Sequence, residues 1–541
     1  MSTLIWDEVN FSIKKKKEQR PILINTFGIA RRGELVGILG PSGAGKSTLL
    51  AALGGRIAST GFLSLDGRDV VRGDVIFITQ DDLIYESLTV KESVEFNVSL
   101  RNPQPLSKEE VNERTQQALQ RFRLQNVADS IIGNPQSSKG HISGGERKRT
   151  CIAGSLQSNA PIVLVDEPTS GLDSYSALQV IEILKEVSEE RICIVVIHQP
   201  SLELFLKFDR VLVLSEKGRV LYLDSPRNMP DVLSLVGLGV PDEASPQEFA
   251  IDIATPALNI ASDRQLRELE SIARESVDID PNPGDNAPVE EADLPPFGRQ
   301  YRKVFKRNVI NFKRNPMFLT LRFFSCIFVG LLAGLVFLNL DYTQAGARNR
   351  QGAIIFILLS TAFSAQQGVL LLFPTERYDS CCCFLIAEKF SEGSAYYMIN
   401  LRGGFERLLL LWILTALVVA AAESLGLLIT AITGDTHTSL VITPNVLVLL
   451  MLFSGFFLTL DNVPAYFAWV PPISYIRWAF NAALISEFRG VEFTCTPEEE
   501  LPGGLCPITQ GEQVLALLGI GTFSIFVSIV FLITMYVQSY T

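Results

Sequence analysis

A short apolar run, Val36-Gly37-Ile38-Leu39, leads straight into Gly40-Pro41-Ser42-Gly43-Ala44-Gly45-Lys46-Ser47, after which Thr48-Leu49-Leu50-Ala51-Ala52 starts a helical pattern. Gly, four residues, then Gly-Lys-Ser is the spacing of a phosphate-binding loop set between a strand and a helix. The glycines let the backbone curl so that successive N–H groups converge on phosphate oxygens. Lys46 is placed to reach β- and γ-phosphates and Ser47 to ligate Mg²⁺. The positive end of the helix that begins at Thr48 faces the same charge. A glycine-rich turn that merely precedes a helix is the competing reading of this stretch.

The chain has 541 residues, which argues for two or more domains. Its mean hydropathy is +0.26, and the apolar residues concentrate after Met317. With a net charge of -11, a nucleic-acid partner has no global electrostatic support. The first thirty residues hold no continuous apolar core of the signal-peptide kind, so a cytosolic N-terminal half is expected. Cys151 and Cys193 read as buried packing residues in that half. No cysteine or histidine spacing fits a zinc site.

Leu4–Ile13 and Pro21–Ile29 read as strands, with the Lys14–Lys17 charge run as the solvated loop between them. Phe11 is a candidate for stacking on an adenine ring, with a sheet-core position as the alternative. Val75–Thr79 is a strand that ends in the amide of Gln80, and Ser107–Arg123 turns helical and polar. Ser143-Gly144-Gly145-Glu146 opens a basic helix and forms a second potential anion site. Ile162–Val165 is wholly apolar, as expected at the centre of a parallel sheet, and ends in Asp166-Glu167. Ile192–Ile197 is a similar run that ends in His198, and a hairpin around Lys217-Gly218 closes the sheet. Polar residues thus recur just past the ends of apolar strands.

Taken together, GPSGAGKS, Gln80, ISGGERKR, IVLVDEPTSGLD and His198 resemble the nucleotide-binding domain of an ATP-binding cassette transporter. The domain order, the ERKR that follows the signature and the phrase IHQPS resemble the G subfamily, the white-type half-transporters. The resemblance implies an α/β fold: a RecA-like core with an antiparallel β subdomain and an α-helical signature subdomain, followed by an all-α transmembrane domain. It implies that ATP is held by Gly40–Thr48, with Mg²⁺ at Ser47, Asp166 and, through water, Gln80. Glu167 would polarise the attacking water, and His198 would contact the γ-phosphate. Ser143, Gly144, Gly145 and Glu146 would complete a partner chain's site, and Asp173 would bridge the two chains. The implied partners are a second half-transporter, identical or different, and a lipid bilayer. The implied cargo is a small amphipathic, sterol-like or xenobiotic molecule.

On this reading residues 1–250 form the nucleotide-binding domain, 251–298 an acidic proline-dotted linker with one helix at Asp263–Glu275, and 299–541 the membrane domain. Arg299–Arg314 is strongly basic and reads as an amphipathic helix on the cytosolic membrane surface. Five apolar runs are long enough to span a bilayer: 317–340, 352–373, 405–433, 440–460 and 514–537. Phe373–Phe390 looks too polar to cross and resembles the family's cytosolic coupling segment. Its Cys381, Cys382 and Cys383 suit acylation at a membrane edge or are merely tolerated. Glu423 is either a functional intramembrane carboxylate or an interfacial one. Phe363, Met451, Phe456 and Phe457 align with the family's substrate cavity, ordinary packing being the alternative.

Cys495 and Cys506 flank a short polar loop with Pro502-Gly503-Gly504 and are expected to pair outside the cytosol, two free thiols being the alternative. The white-type family has six spans, so one is missing near 398–404. Five spans would put the 491–513 loop in the cytosol, in conflict with that disulfide. Tyr466–Ile485 is the only candidate for another crossing, yet it carries Pro471, Pro472 and Arg477 and reads as interfacial or re-entrant; the loop is expected to be external, and the membrane domain to resemble the family fold with its third helix lost. The expected protein is a multi-pass half-transporter of the plasma membrane or an organelle membrane. The rival is an ATP-binding membrane subunit that regulates a partner without transporting.

Overall fold

The computed structural model describes residues 2–538 apart from 16–17, 81–83, 103, 134–140, 278–294, 315, 373–380, 435, 459–462, 497–498, 500–505 and 521–523. Two compact units are present, Met1–Arg314 and Asn315–Thr541.

The first unit is built on strands β1 (Thr3–Lys15), β2 (Glu18–Arg31), β3 (Leu35–Leu39), β4 (Thr60–Leu65), β5 (Arg68–Asp69), β6 (Val75–Ile78), β7 (Ile162–Asp166), β8 (Ile192–Val196), β9 (Arg210–Leu214) and β10 (Val220–Asp224). They form an antiparallel sheet in the order β2-β1-β4-β5 and a six-stranded sheet in the order β10-β9-β3-β8-β7-β6. In the second sheet only the β9–β10 hairpin is antiparallel. Its central strands are apolar at every position because both faces are covered. Leu35, Val163, Val165, Cys193 and Val195 face one core, while Val36, Ile38, Ile162, Leu164, Ile192 and Ile194 face the other. Cys193 is fully buried, which pushes its thiol up to about 12, whereas Cys151 is only half-buried. Gly218 turns the β9–β10 hairpin at φ 68°, and its carbonyl accepts from Ile24 N–H at 3.0 Å, which ties the two sheets together.

Three helices form the signature subdomain, Val90–Arg101, Lys108–Arg121 and Gly144–Ser155. Thr89, Ser107 and Ser143 cap them, each answered by a glutamate three residues on.

The expected boundary at residue 250 falls inside the helix Pro246–Ile253. The supposed linker is largely folded up to Val277. Helix Asp263–Glu275 lies where it was expected, but it packs back on the strands. Leu269 and Ala273 are buried, Arg274 grips Asp7 through both carboxylate oxygens (2.5 and 2.8 Å), and Ser276 Oγ donates to the Leu223 carbonyl at 3.0 Å. The proline-rich remainder, 278–294, lies outside the described residues. The basic helix Phe297–Arg314 also belongs to this unit. Several of its cations make protein contacts. Lys303 donates to Ser99 Oγ (3.0 Å), Arg307 stacks over Tyr85 (3.9 Å to the ring centroid), and Arg314 pairs with Glu92 (2.5 and 3.0 Å).

The second unit is helical: Pro316–Val336, Gln344–Leu372, Cys381–Ile399, Phe405–Thr433, Thr436–Leu452, Tyr475–Phe488 and Ile525–Gln538, with shorter pieces between. Among the described residues, Phe405–Thr433 alone has both the length and the apolarity to cross a bilayer by itself. Shorter apolar helices lie at Phe323–Val336, His437–Leu452 and Ile525–Tyr536.

The segment read as too polar to cross is helical over Cys381–Ile399 and runs parallel to Pro316–Val336. Ser391 Oγ donates to the Cys326 carbonyl at 2.6 Å, and the N–H groups of Asn339 and Leu340 donate to Met398 and Ile399 at 2.9 and 3.0 Å. Two of its charges pair, with Glu392 buried and Lys389 half-buried. Lys389 donates to Glu392 at 3.0 Å, and Glu392 accepts from Thr415 (2.9 Å) and Thr361 (3.4 Å) on the two neighbouring helices. Pairing removes most of the reason for such a segment to avoid an apolar bundle. The side chains of Cys381–Cys383 lie outside the described residues.

Thr436–Leu452 and Tyr475–Phe488 run in one direction with a doubling-back between them, where Ser474 Oγ donates to the Leu450 carbonyl at 2.8 Å. One end of the bundle is knotted by Arg350, which is 0% exposed. Arg350 pairs with Glu487 at 2.5 Å and donates to the Asn400 and Leu340 carbonyls at 2.9 and 2.7 Å. The Cys495–Cys506 disulfide, with Cα atoms 5.8 Å apart, lies in a loop at this same end, where Thr494 N–H donates to the Tyr342 carbonyl at 2.9 Å.

Arg350→Met leaves Glu487 buried without its cation, which by analogy with other broken buried pairs costs about 3–5 kcal/mol. The expected result is a clearly lower unfolding temperature in detergent, with much of the loss recovered in Arg350→Met/Glu487→Leu. Equal stability of Arg350→Met and wild type would contradict this role for the pair.

Candidate active site

Four neighbouring strands, β3, β8, β7 and β6, are parallel, so their C-terminal ends form one edge. The phosphate-loop residues follow β3, His198 follows β8, Asp166-Glu167 end β7, and Gln80 follows β6. The sheet order thereby gathers residues that are far apart in sequence. Open α/β sheets bind ligands at this edge.

Gly43 and Gly45 hold φ values of 81° and 92°, which keeps the loop curled. At Gly45 any side chain would press on Ile22 and Leu23 of β2. Lys46 is buried, and its Nζ donates to the Gly40 and Pro41 carbonyls at 2.9 and 3.0 Å. Burial holds its pKa below the ordinary lysine value, against the pull of Glu167 and Asp166. Ser47 Oγ donates to Asp166 Oδ1 at 3.0 Å. Asp166 sits above the usual carboxylate range, chiefly because it is desolvated. Gln80 Nε2 donates to Glu167 Oε2 at 2.9 Å. Glu167 itself has φ 43°, with its N–H on the Val196 carbonyl at 3.1 Å. His198 is exposed at the same edge. The hydroxyl, carboxylate and amide oxygens at Ser47, Asp166 and Gln80 are the hard donors that Mg²⁺ takes alongside phosphates.

Phe11 is half-buried in β1 and pairs in register with Leu23, the residue packed against Gly45. It lies one strand away from the loop.

The signature residues stand at the start of helix Gly144–Ser155. Ser143 Oγ accepts from Glu146 N–H (3.3 Å) and donates to the Glu146 carboxylate (2.8 Å). Gly145 abuts Ser176, which donates to Asp173 through both N–H (2.9 Å) and Oγ (2.7 Å). Asp173 thus caps the helix Ser174–Ser188.

In the second unit Phe363 is 49% exposed on Gln344–Leu372, and Phe457 is 53% exposed. Phe456 meets Phe457 edge-to-face at 4.8 Å, and Met451 is partly buried. Glu423 is half-buried on Phe405–Thr433.

Sequence reasoning missed three sets of residues. Lys148 on the signature helix donates from Nζ to the Gln80 carbonyl at 2.8 Å. The Lys389–Glu392 pair and the Arg350–Glu487 pair are the others. Their only sequence signal is charge within or beside apolar stretches.

Comparison with known proteins gives matches over most of the chain. Residues 27–170 match the ABC transporter family, and 299–378 with 393–488 match the ABC-2 type transporter family, a second model of which matches 198–271. The chain is 31% identical to Protein white of Drosophila melanogaster, over 92% of this chain and 79% of that one. It is 27% identical to ABC transporter G family member 1 of Dictyostelium discoideum, over 94% and 79%. Among solved structures, the dimeric ATP-binding cassette MJ0796 bound to ADP and Pi is 28% identical, covers 41% of this chain and 99% of its own, and has a TM-score of 0.36.

Proposed function

The chain belongs to the white-type, or G, subfamily of ATP-binding cassette transporters, and on that premise we propose how its residues bind ATP, hydrolyse it and drive transport. ATPase activity coupled to transport follows from the family. The individual roles are our reading of the site.

The observation that carries this reading is the paired contact at the sheet edge, Ser47 to Asp166 at 3.0 Å and Gln80 to Glu167 at 2.9 Å. Phosphoryl transfer asks the protein for positioning and charge neutralisation more than for covalent chemistry. The amides of Gly40–Ser47 cradle the phosphates, and Lys46 leaves its loop carbonyls to pair with them. Phe11 lines the adenine side. Ser47, Asp166 and Gln80 would hold Mg²⁺, which would neutralise phosphate charge. Glu167 orients and polarises the attacking water while Gln80 steadies it, and His198 contacts the γ-phosphate. Ser143, Gly144, Gly145 and Glu146 of one chain close over the nucleotide of another, and Asp173 bridges the two. The active unit is therefore a dimer, with a like or an unlike half-transporter. Purified chain in detergent or nanodiscs is expected to hydrolyse ATP in a Mg²⁺-dependent way. No activity as a dimer, with ATP bound, would defeat this account of the site.

The second unit crosses the membrane six times in this reading, with Cys381–Ile399 as the third pass and Thr436–Phe488 as one broken pass. An even count places the Cys495–Cys506 loop outside, where its disulfide persists. After mild reduction, a membrane-impermeant maleimide should label Cys495 and Cys506 on intact cells. Labelling only after permeabilisation would contradict the topology.

The cargo class we infer is lipid-like or amphipathic, because aromatic side chains such as Phe363 and Phe457 face outward from the bundle. One observation favours the rival reading of a regulatory, non-transporting subunit: the third helix position is taken by a segment carrying the charged Lys389–Glu392 pair. ATPase activity of the purified chain alone, without a partner, separates the two.

A further inference from the structure

We propose that Lys148 is a positioning residue for ATP hydrolysis, linking the signature helix to Glu167 through Gln80. The inference rests on the reading of Glu167 given above.

Lys148 is 3% exposed, and its ammonium donates to the backbone carbonyl of Gln80 at 2.8 Å. The side chain of that same Gln80 donates to Glu167 Oε2 at 2.9 Å. Two hydrogen bonds and one residue therefore join the signature helix to the carboxylate that handles water. Burying an ammonium is costly, and a core site on a helix is filled more cheaply by an apolar residue.

Ser143 caps the helix that carries Lys148. When Ser143 engages the nucleotide of the partner chain, rotation of the helix shifts Lys148, then the Gln80 carbonyl, then the amide on Glu167. Each chain can thus sense, at its own catalytic carboxylate, whether its signature is occupied. An apolar residue of the same size would fill the space but break the link.

The test compares Lys148→Met, Lys148→Arg and Gln80→Ala in the full-length protein. Lys148→Met keeps the stem and loses the donor, so kcat should fall about tenfold to a hundredfold while KM and the Kd for a fluorescent ATP analogue stay within about twofold. Lys148→Arg, which keeps a cationic donor, should restore part of kcat. In the Gln80→Ala background, Lys148→Met should cost little more, because both changes cut one link. Wild-type kcat in folded Lys148→Met, or a full multiplicative loss in the double variant, would overturn the proposal. If Lys148→Met does not fold, Lys148→Leu, which also lacks a donor, is judged by the same criteria. Absence of ATPase activity in the wild-type dimer would instead overturn the site reading beneath it.

Discussion

Glu167→Gln is expected to lower ATP turnover by about 10²–10⁴-fold, the range a general base contributes, while ATP binding survives. The reason is local. Glu167 is placed by its own backbone, with φ 43° and an N–H bond to the Val196 carbonyl, and neither depends on the carboxylate. A glutamine there is the same size and still offers an oxygen to the Gln80 amide, which donates at 2.9 Å in the native site. Lys46, Ser47 and Asp166 are untouched. What is lost is the negative charge that draws a proton from water. The variant should therefore trap ATP in a closed dimer, measurable as nucleotide retained after gel filtration. Turnover at the wild-type rate would remove Glu167 from the mechanism.

Ser143→Arg should abolish turnover in the dimer without weakening ATP binding to the isolated monomer. Ser143 caps Gly144–Ser155 and shares a reciprocal pair of bonds with Glu146. Losing a cap costs about 1 kcal/mol, too little to unfold the unit. In our reading the effect is instead steric and electrostatic, at a surface that meets the nucleotide of another chain. Mixed dimers with one Ser143→Arg chain should lose one of two sites. Full ATPase activity under conditions where only monomer exists would overturn the shared-site account.

The nucleotide-binding unit was largely legible because its rules are local. A strand buried on both faces must be apolar throughout, and Ile162–Val165 and Ile192–Val196 are. The polar residue that follows each such strand then falls at the ligand edge by geometry. Helix Asp263–Glu275 lies where the sequence placed a helix, and Ser262 caps it. The contacts that sequence concealed are long-range. Arg350 and Glu487 are 137 residues apart, and Lys148 and Gln80 are 68 apart. In Cys381–Ile399, Lys389 and Glu392 look disqualifying until Thr361 and Thr415 arrive from positions 31 and 23 residues from Glu392. Hydropathy counts each charge as if it stood alone, so it does not register the helix Cys381–Ile399. In Phe297–Arg314 the partners of Lys303, Arg307 and Arg314 are Ser99, Tyr85 and Glu92, some two hundred residues earlier, so the sequence hides these contacts too.

The central claim, that this chain couples ATP hydrolysis at a shared site to movement of an amphipathic molecule, is tested most directly in inside-out vesicles containing the protein. Uptake of a panel of labelled sterols, phospholipids and hydrophobic dyes would be followed with ATP and Mg²⁺, with and without Glu167→Gln. The account predicts ATP-dependent accumulation of at least one of these compounds by the wild-type protein and none by the variant. ATP hydrolysis by the wild-type dimer with no ATP-dependent accumulation of any of them, or uptake that persists in Glu167→Gln, would contradict it.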